Sequence, residues 1–335
     1  MLRRRRFLRS LFATLFFVGA TGTASAQFSQ IFFFGDSLTD PGNLALVIGS
    51  DPAQVITGNT YIPGKPYASN QFTNGDVWAK TFASALGLPL SGQPFQTGGG
   101  NYAFGGARVA TDGSGLPPSL LTQEGLYLSS HGNSAPGSAL FVIAGGGNDA
   151  RDTLAAAASS MNPGGVIAAA AVTFAQSVGL LVDQLQAAGA QHIVVWDVPD
   201  LGLAPAVTAL GAGPTFLGTQ VSLAMNSALS TRLSGEAGVS VFDLDGLQNQ
   251  IVANPASFGL VNVTDACGAV AAPPTCNPAT ALYWDGIHPT AAGHALLAQG
   301  MLVVAVPEPS ELALMVSGLV VVAVWRRRAR RTSRR

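Results

Sequence analysis

Two short stretches hold the residue types that nucleophilic catalysis needs: Gly35-Asp36-Ser37-Leu38 and Asp285-Gly286-Ile287-His288. A serine hydroxyl is a weak nucleophile until a base takes its proton and a third group orients that base. Ser37 is the candidate nucleophile and His288 the candidate base. Asp285 precedes His288 by three residues, on a turn that Gly286 closes, and can bend back to the other imidazole nitrogen. With donors for an oxyanion, such a set transfers an acyl group from an ester. Asn148 offers a side-chain N–H, and Gly106 a backbone N–H with no Cβ in the way. Each such donor is typically worth about 3 kcal/mol in the transition state. Taken singly, each residue has a plainer use: Ser37 as a helix cap, Asn148 as a turn residue beside a capping Asp149, and Asp285 as an exposed turn acid. His131 lies in a polar stretch, His192 leads into a strand and His294 sits on the last helix, so none competes with His288.

The surrounding sequence supplies elements able to position these groups. Phe32-Phe33-Phe34 ends in Gly-Asp-Ser, which predicts a buried strand over 30–35 followed by a sharp turn and a helix. A serine there meets the outward-pointing N–H groups of a helix start. Strands are also expected at 101–104, 140–144, 193–198 and, as the last, 239–244. Helical spacing is expected over 76–86, 166–188, 216–233 and 290–299. The 166–188 stretch is Ala-rich and apolar, but Gln176, Asp183, Gln184 and Gln186 mark it as a buried helix rather than a membrane span. Strands separated by helices predict an α/β fold with a parallel sheet covered on both faces. Ser37, Gly106 and Asn148 would each follow a strand and share its C-terminal edge. Residues 245–284 show no strong period and read as a long loop forming one wall of a substrate site.

In this order the residues resemble the GDSL esterases and lipases, also called SGNH hydrolases. Gly35-Asp36-Ser37-Leu38, continuing as Thr39-Asp40-Pro41-Gly42-Asn43, resembles the nucleophile block. Asn101-Tyr102-Ala103-Phe104-Gly105-Gly106-Ala107 resembles the block whose glycine gives an oxyanion N–H. Gly105 and Gly106 are adjacent, and Gly106 is preferred. Gly147-Asn148-Asp149 is similar to the block whose asparagine completes the hole, and Asp285-Gly286-Ile287-His288-Pro289 to the block carrying the other triad members. Trp196-Asp197-Val198-Pro199-Asp200-Leu201-Gly202 resembles the intervening strand and turn. The resemblance spans roughly 30–300 and implies a three-layer α/β/α sandwich with a central parallel sheet, flavodoxin-like, that hydrolyses carboxylic esters without metal or cofactor. The triad it implies is Ser37, Asp285 and His288, with an oxyanion hole from Ser37, Gly106 and Asn148. The substrate stays open between an acyl lipid and an acylated sugar of an exopolysaccharide, as does transfer to an alcohol instead of water.

The two ends carry a different theme. Of 17 basic residues, 12 lie in 1–26 and 326–335, leaving 5 against 16 acids between 27 and 305. A body that acidic is a poor nucleic-acid binder. Residues 1–26 read as a secretory signal, with Arg3 to Arg6 and Arg9, an apolar centre, and Ala24-Ser25-Ala26 for a signal peptidase. Export permits disulfides, and Cys267 and Cys276 are the only cysteines, so a local disulfide is expected and a metal site is not. Residues 306–335 resemble a PEP-CTERM sorting signal: Pro307-Glu308-Pro309, a short apolar run over 312–325, and an Arg cluster. That resemblance implies an exosortase-type processing enzyme, while an ordinary inner-membrane anchor is the plainer reading of the same tail. The expected domains are therefore 1–26, 27–305 and 306–335, with the body in the periplasm or at the cell surface.

Two rival functions fit less of the sequence. Gly145-x-Gly147-x-x-Ala150 matches a dinucleotide fingerprint in form, but lacks the acid expected about 20 residues on. A non-catalytic surface protein on a hydrolase fold would suit the tail, yet every reactive group is present.

Overall fold

A computed structural model describes residues 28–305 apart from Leu116. The expected export signal and sorting tail lie outside the described residues. In chain order the first elements are β1 (Ile31–Gly35), α1 (Asn43–Ile48), α2 (Trp78–Ala85), α3 (Leu120–Ser130) and β2 (Leu140–Ala144). Then come α4 (Gly147–Ala158), α5 (Pro163–Ala187), β3 (His192–Trp196), α6 (Pro205–Thr208), α7 (Ala212–Leu233) and β4 (Val239–Phe242). The chain closes with α8 (Leu244–Ala253), β5 (Asn262–Ala266), β6 (Ala281–Tyr283) and α9 (Ala291–Ala305).

Side-chain alternation sets the layers. Successive residues of a strand point to opposite faces. Ile31 and Phe33 therefore join one buried cluster with Trp78, Phe82, Leu297 and Met301, from α2 and α9. Phe32 and Phe34 join another with Tyr127, Phe174, Leu181 and Val221, from α3, α5 and α7. A strand covered on both faces needs a continuous apolar run, as this one has. The result is a three-layer α/β sandwich around a parallel sheet of order β1-β2-β3-β4. The aromatics interlock on the α2 side: the Trp78 and Trp196 rings lie 4.4 Å apart, and Phe33 meets Trp78 edge-on at 5.5 Å. Although α5 is long and apolar enough to cross a membrane, it buries Phe174, Val178, Leu181 and Leu185 and packs against α4 and α7.

The edge of the sheet explains where the site lies. Asn101 bridges to Phe33 on the side of β1 away from β2. Tyr102 and Phe104 extend this contact by donating N–H bonds to the carbonyls of Phe33 and Gly35. The chain thus visits one side of β1 and then crosses to the other, which makes the C-terminal end of β1 a topological switch point. The 101–104 stretch, expected as a strand, makes these bonds as an isolated bridge, hemmed in by glycines at 98–100 and 105–106.

Two expectations are corrected. The 239–244 strand is not the last, because β5 and β6 form a separate parallel pair with a bulge. Nor is 245–284 mainly loop, since it also holds most of α8. Strands of three to five residues containing Asn, Thr and Asp are too short and polar to set up a readable period. Helix α8 is announced only by its cap, where Asp243 Oδ1 accepts the Gly246 N–H at 2.7 Å. Cys267 and Cys276 are joined, S–S 2.09 Å, in the connection between β5 and β6.

One buried group is at odds with its surroundings. Glu124 on α3 is fully buried and neither carboxyl oxygen has a hydrogen-bond partner among the described residues. Burial pushes its pKa up to about 9, so the folded protein keeps the proton and the unfolded chain releases it near the ordinary value. A raised pKa gives stability that is complete below the unfolded value and is lost as pH rises through about 9. The Glu124→Gln protein is therefore expected to gain on the parent as pH rises, by up to about 4 kcal/mol between pH 5 and pH 8. Urea unfolding at the two pH values measures it, and parallel pH profiles for the two proteins would refute the assignment.

Candidate active site

Ser37 sits where β1 ends, and the backbone there turns back on itself. Thr39 and Asp40 donate N–H bonds to the Asp36 carbonyl at 3.0 Å, and the Asp36 carboxylate accepts from Leu38 N–H at 3.0 Å. Burial raises the Asp36 pKa to about 6. Asp40 fastens this turn to the next loop. Its carboxylate accepts the N–H groups of Gly42, Asn43 and Leu44, and that of Gly105 at 2.8 Å. Asn43 Nδ2 donates to the Asn101 and Ala103 carbonyls, and Asn101 Nδ2 to the Thr39 carbonyl.

The two adjacent glycines differ in what they do. The Gly105 N–H is committed to Asp40, and a Cβ there would run into the Phe72 ring. Phe72 in turn stacks on His288, ring centroids 5.2 Å apart. Gly106 has φ +82°, which favours glycine, and its N–H makes no hydrogen bond among the described residues. The Ser37 N–H is equally free by the same measure.

On the other side of β1, β2 runs into α4 and Asn148 sits in its first turn, 7% exposed. Its Nδ2 donates to the Ala107 carbonyl at 2.9 Å, and its Oδ1 accepts from Arg151 Nη1 at 3.3 Å. The amide is thus held at both ends with one N–H hydrogen left over. The same helix grips the Gly106 loop. Asp149 accepts the Val109 N–H, and Asp152 pairs with Arg108, which donates to the Gly106 carbonyl at 2.8 Å.

His288 and Asp285 come from the turn after β6, closed by the Trp284 N–H to the His288 carbonyl at 2.8 Å. Asp285 is fully buried and accepts four bonds. Its Oδ1 takes the N–H groups of Ile287 and His288 at 2.9 and 2.8 Å. Its Oδ2 takes Tyr67 O–H and His288 Nδ1–H, both at 2.8 Å. With the Nδ1 proton held there, Nε2 is the acceptor for Ser37 O–H, and that distance is 2.8 Å. Ser37, Asp285 and His288 thus form one continuous hydrogen-bonded line, with Asn148 and Gly106 on the loops beside it. His294 lies outside this line. It is buried, its Nδ1 accepts the Trp78 N–H at 3.2 Å, and burial pushes its pKa down to about 3, so it stays neutral.

A cavity opens at Ser37 and His288, walled by Leu201, Ala204, Leu244, Ile251, Leu282 and Leu297. Apolar walls beside a few convergent polar groups are the usual form of a ligand pocket. Among the described residues, no cluster of three or more His, Cys, Asp or Glu is arranged to hold a metal ion.

Residues 31–301 match the GDSL-like lipase/acylhydrolase family, which is most of the chain. The chain belongs to that family. Esterase EstA of Pseudomonas aeruginosa is 31% identical, an alignment covering 83% of this chain and 47% of EstA. A GDSL esterase/lipase of Arabidopsis thaliana is 25% identical over 83% of this chain and 90% of its own length. The thermolabile hemolysin of Vibrio parahaemolyticus is 25% identical over 82% of this chain and 63% of its own. The chain spans about half the length of the first curated relatives it matches.

Several supports of this GDSL-like site were not singled out in the sequence. Tyr67 and Phe72 touch Asp285 and His288 from a polar, glycine-rich region with no readable period. Arg151 shares a helix face with Asn148 at i+3, a spacing visible once α4 is known to start at Gly147. Asp40 and Asn43 belong to the stretch that resembles the nucleophile block. Their partners near residue 101 had no sequence signal.

Proposed function

We propose that the protein is a serine esterase that hydrolyses carboxylic esters through an acyl-enzyme. The observation that carries this reading is the line from Ser37 Oγ through His288 to Asp285, with 2.8 Å at each step. Ser37 Oγ attacks the ester carbonyl carbon as His288 Nε2 takes its proton. Asp285 holds the imidazole in the tautomer that can accept this proton and stabilises the imidazolium that follows. The oxyanion is met by the Ser37 and Gly106 N–H groups and by Asn148 Nδ2, each with a hydrogen unspent among the described residues. His288 then gives its proton to the departing alcohol, water attacks the acyl-enzyme, and the acid leaves. The apolar cavity favours an acyl lipid over an acetylated sugar, because an acetyl group would leave those walls unfilled.

Hydrolysis of p-nitrophenyl esters from acetyl to palmitoyl tests the activity, and the chain-length optimum tests the substrate class. An optimum at acetyl would overturn the acyl-lipid assignment. Within the same reading, Asn148→Ala is expected to lower kcat by about 100- to 1,000-fold with little change in KM, since its donor acts on charge that forms only in the transition state. A rise in KM at unchanged kcat would instead make Asn148 a substrate-binding residue.

We further propose export through residues 1–26 and retention or sorting through 306–335, with a signal peptidase and an exosortase-type enzyme as processing partners and the inner membrane as anchor. The basic start, the Ala-x-Ala ending and the Pro-Glu-Pro, apolar, Arg-rich tail support this. Mass spectrometry of the protein recovered from cells tests it. A mature chain still beginning at Met1 would reject the signal.

A further inference from the structure

Two of the groups lining the cavity are polar, buried and incompletely paired. Gln248 of α8 and Tyr283 of β6 are each at least nine-tenths buried. Gln248 Nε2 donates to the Tyr283 hydroxyl oxygen at 2.7 Å. This bond leaves the Tyr283 O–H proton with no acceptor among the described residues. Gln248 Oε1 is buried and has no donor there. An unspent donor and an unspent acceptor thus sit side by side in a wall that is otherwise leucine, isoleucine and alanine. Buried polar groups in folded proteins are almost always paired.

The group that completes the pair must both accept and donate one hydrogen bond. A methylene chain does neither. A carboxylate accepts only, and it would meet Asp200 on the same wall, whose Oδ1 already takes the Gly202 N–H and the Thr219 O–H. A hydroxyl does both. A hydroxyl also fits if the Gln248 amide is turned the other way, where an acceptor alone would suffice. Rotated by half a turn, it would accept from Tyr283 and leave its own N–H groups unspent, and a hydroxyl oxygen still satisfies them. We propose that the cavity selects esters whose acyl chain carries a hydroxyl group, read by Gln248 and Tyr283. This rests on the assignment of Ser37 as the nucleophile at the cavity mouth. Pockets built to bond a substrate hydroxyl discriminate strongly against the analogue without it, because the pocket's own groups are then stranded.

The test uses the full chain and a set of p-nitrophenyl decanoates, one plain and the others with a single hydroxyl moved outward along the acyl chain. The expected profile has one favoured position, hydrolysed about 10- to 100-fold better in kcat/KM than the plain ester. In Tyr283→Phe and Gln248→Leu that preference should fall to within about twofold, with the plain ester turned over at least as well as by the parent. A flat profile in the parent overturns the proposal and leaves a bound water as the partner of the pair. A preference that survives both substitutions overturns it too. Calorimetry of the corresponding free acids on the Ser37→Ala protein keeps the question separate from turnover. Binding of the matching hydroxy acid at least 10-fold tighter than the plain acid supports the subsite even if no ester is hydrolysed, and equal binding rejects it.

Discussion

Ser37→Ala is expected to lower kcat by about a million-fold while leaving the protein folded and still able to bind ester. The substitution removes the only oxygen placed to attack, and no other hydroxyl is bonded to His288 Nε2 among the described residues. The lost Ser37–His288 bond is a single hydrogen bond, worth about 1 kcal/mol, so the melting temperature should move by only a few degrees. KM should change little, because the cavity walls and the oxyanion donors are untouched. Steady-state hydrolysis with a circular-dichroism melt measures both. Activity within tenfold of the parent would remove Ser37 from the mechanism. Loss of activity together with loss of the melt would show only that the loop had collapsed.

The second large effect belongs to Asp285→Asn, for which kcat is expected to fall about 10,000-fold. Asp285 accepts four hydrogen bonds, from Tyr67, His288 Nδ1 and two backbone N–H groups. An asparagine has one acceptor oxygen, and its amide N–H groups face donors. If the oxygen stays on the backbone N–H groups, the amide donates to Nδ1 and the proton moves to Nε2. An imidazole in that tautomer cannot take the proton of Ser37. Tyr67→Phe removes a single donor and leaves the tautomer in place, so it should cost far less, about tenfold. Measured side by side with melting curves, the pair separates orientation from packing. Equal losses in the two variants would mean that Asp285 acts by holding Tyr67 and the loop, rather than by orienting His288.

Much of this is legible in the sequence, and the reason is local. The Phe32-Phe33-Phe34 run and the 140–144 run are buried on both faces, so their composition alone announces a strand. The turn residues that follow them, Asp36 and Asn148, fall at strand ends by simple succession. His288 and Asp285 share one short turn, so their meeting is a property of adjacent sequence. What escaped reading depends on contacts between distant segments. Tyr67 reaches Asp285 across 218 residues and Asn59 reaches Asp265 across 206, with no periodicity at either end. Helix α3 begins at a Ser119 cap that accepts the Thr122 N–H, but its buried face includes Gln123 and Glu124, so the apolar pattern is blurred. Gln123 is buried because it bonds both backbone groups of Gly35. The β5–β6 pair was missed because its strands are short and polar. Gly105 and Gly106 were indistinguishable by sequence, and only the Asp40 carboxylate, which takes the Gly105 N–H, tells them apart.

Ser37 and His288, the proposed nucleophile and base, stand 251 residues apart, so they enter the newly made chain at different times. A polypeptide emerges from the ribosome with its N-terminal part first, at about 5–20 residues per second. Ser37 is therefore in existence for roughly 13 to 50 s before His288 is synthesised. The turn bearing His288 runs straight into α9, which is tied to the α2 region by Trp78 N–H to His294 and Ala291 N–H to Asn74. Until His288 is made and its turn is in place, the hydrogen-bonded line from Ser37 to Asp285 cannot form. A copy cut short before residue 288 therefore lacks the base that the proposed chemistry requires, whatever else of it has folded.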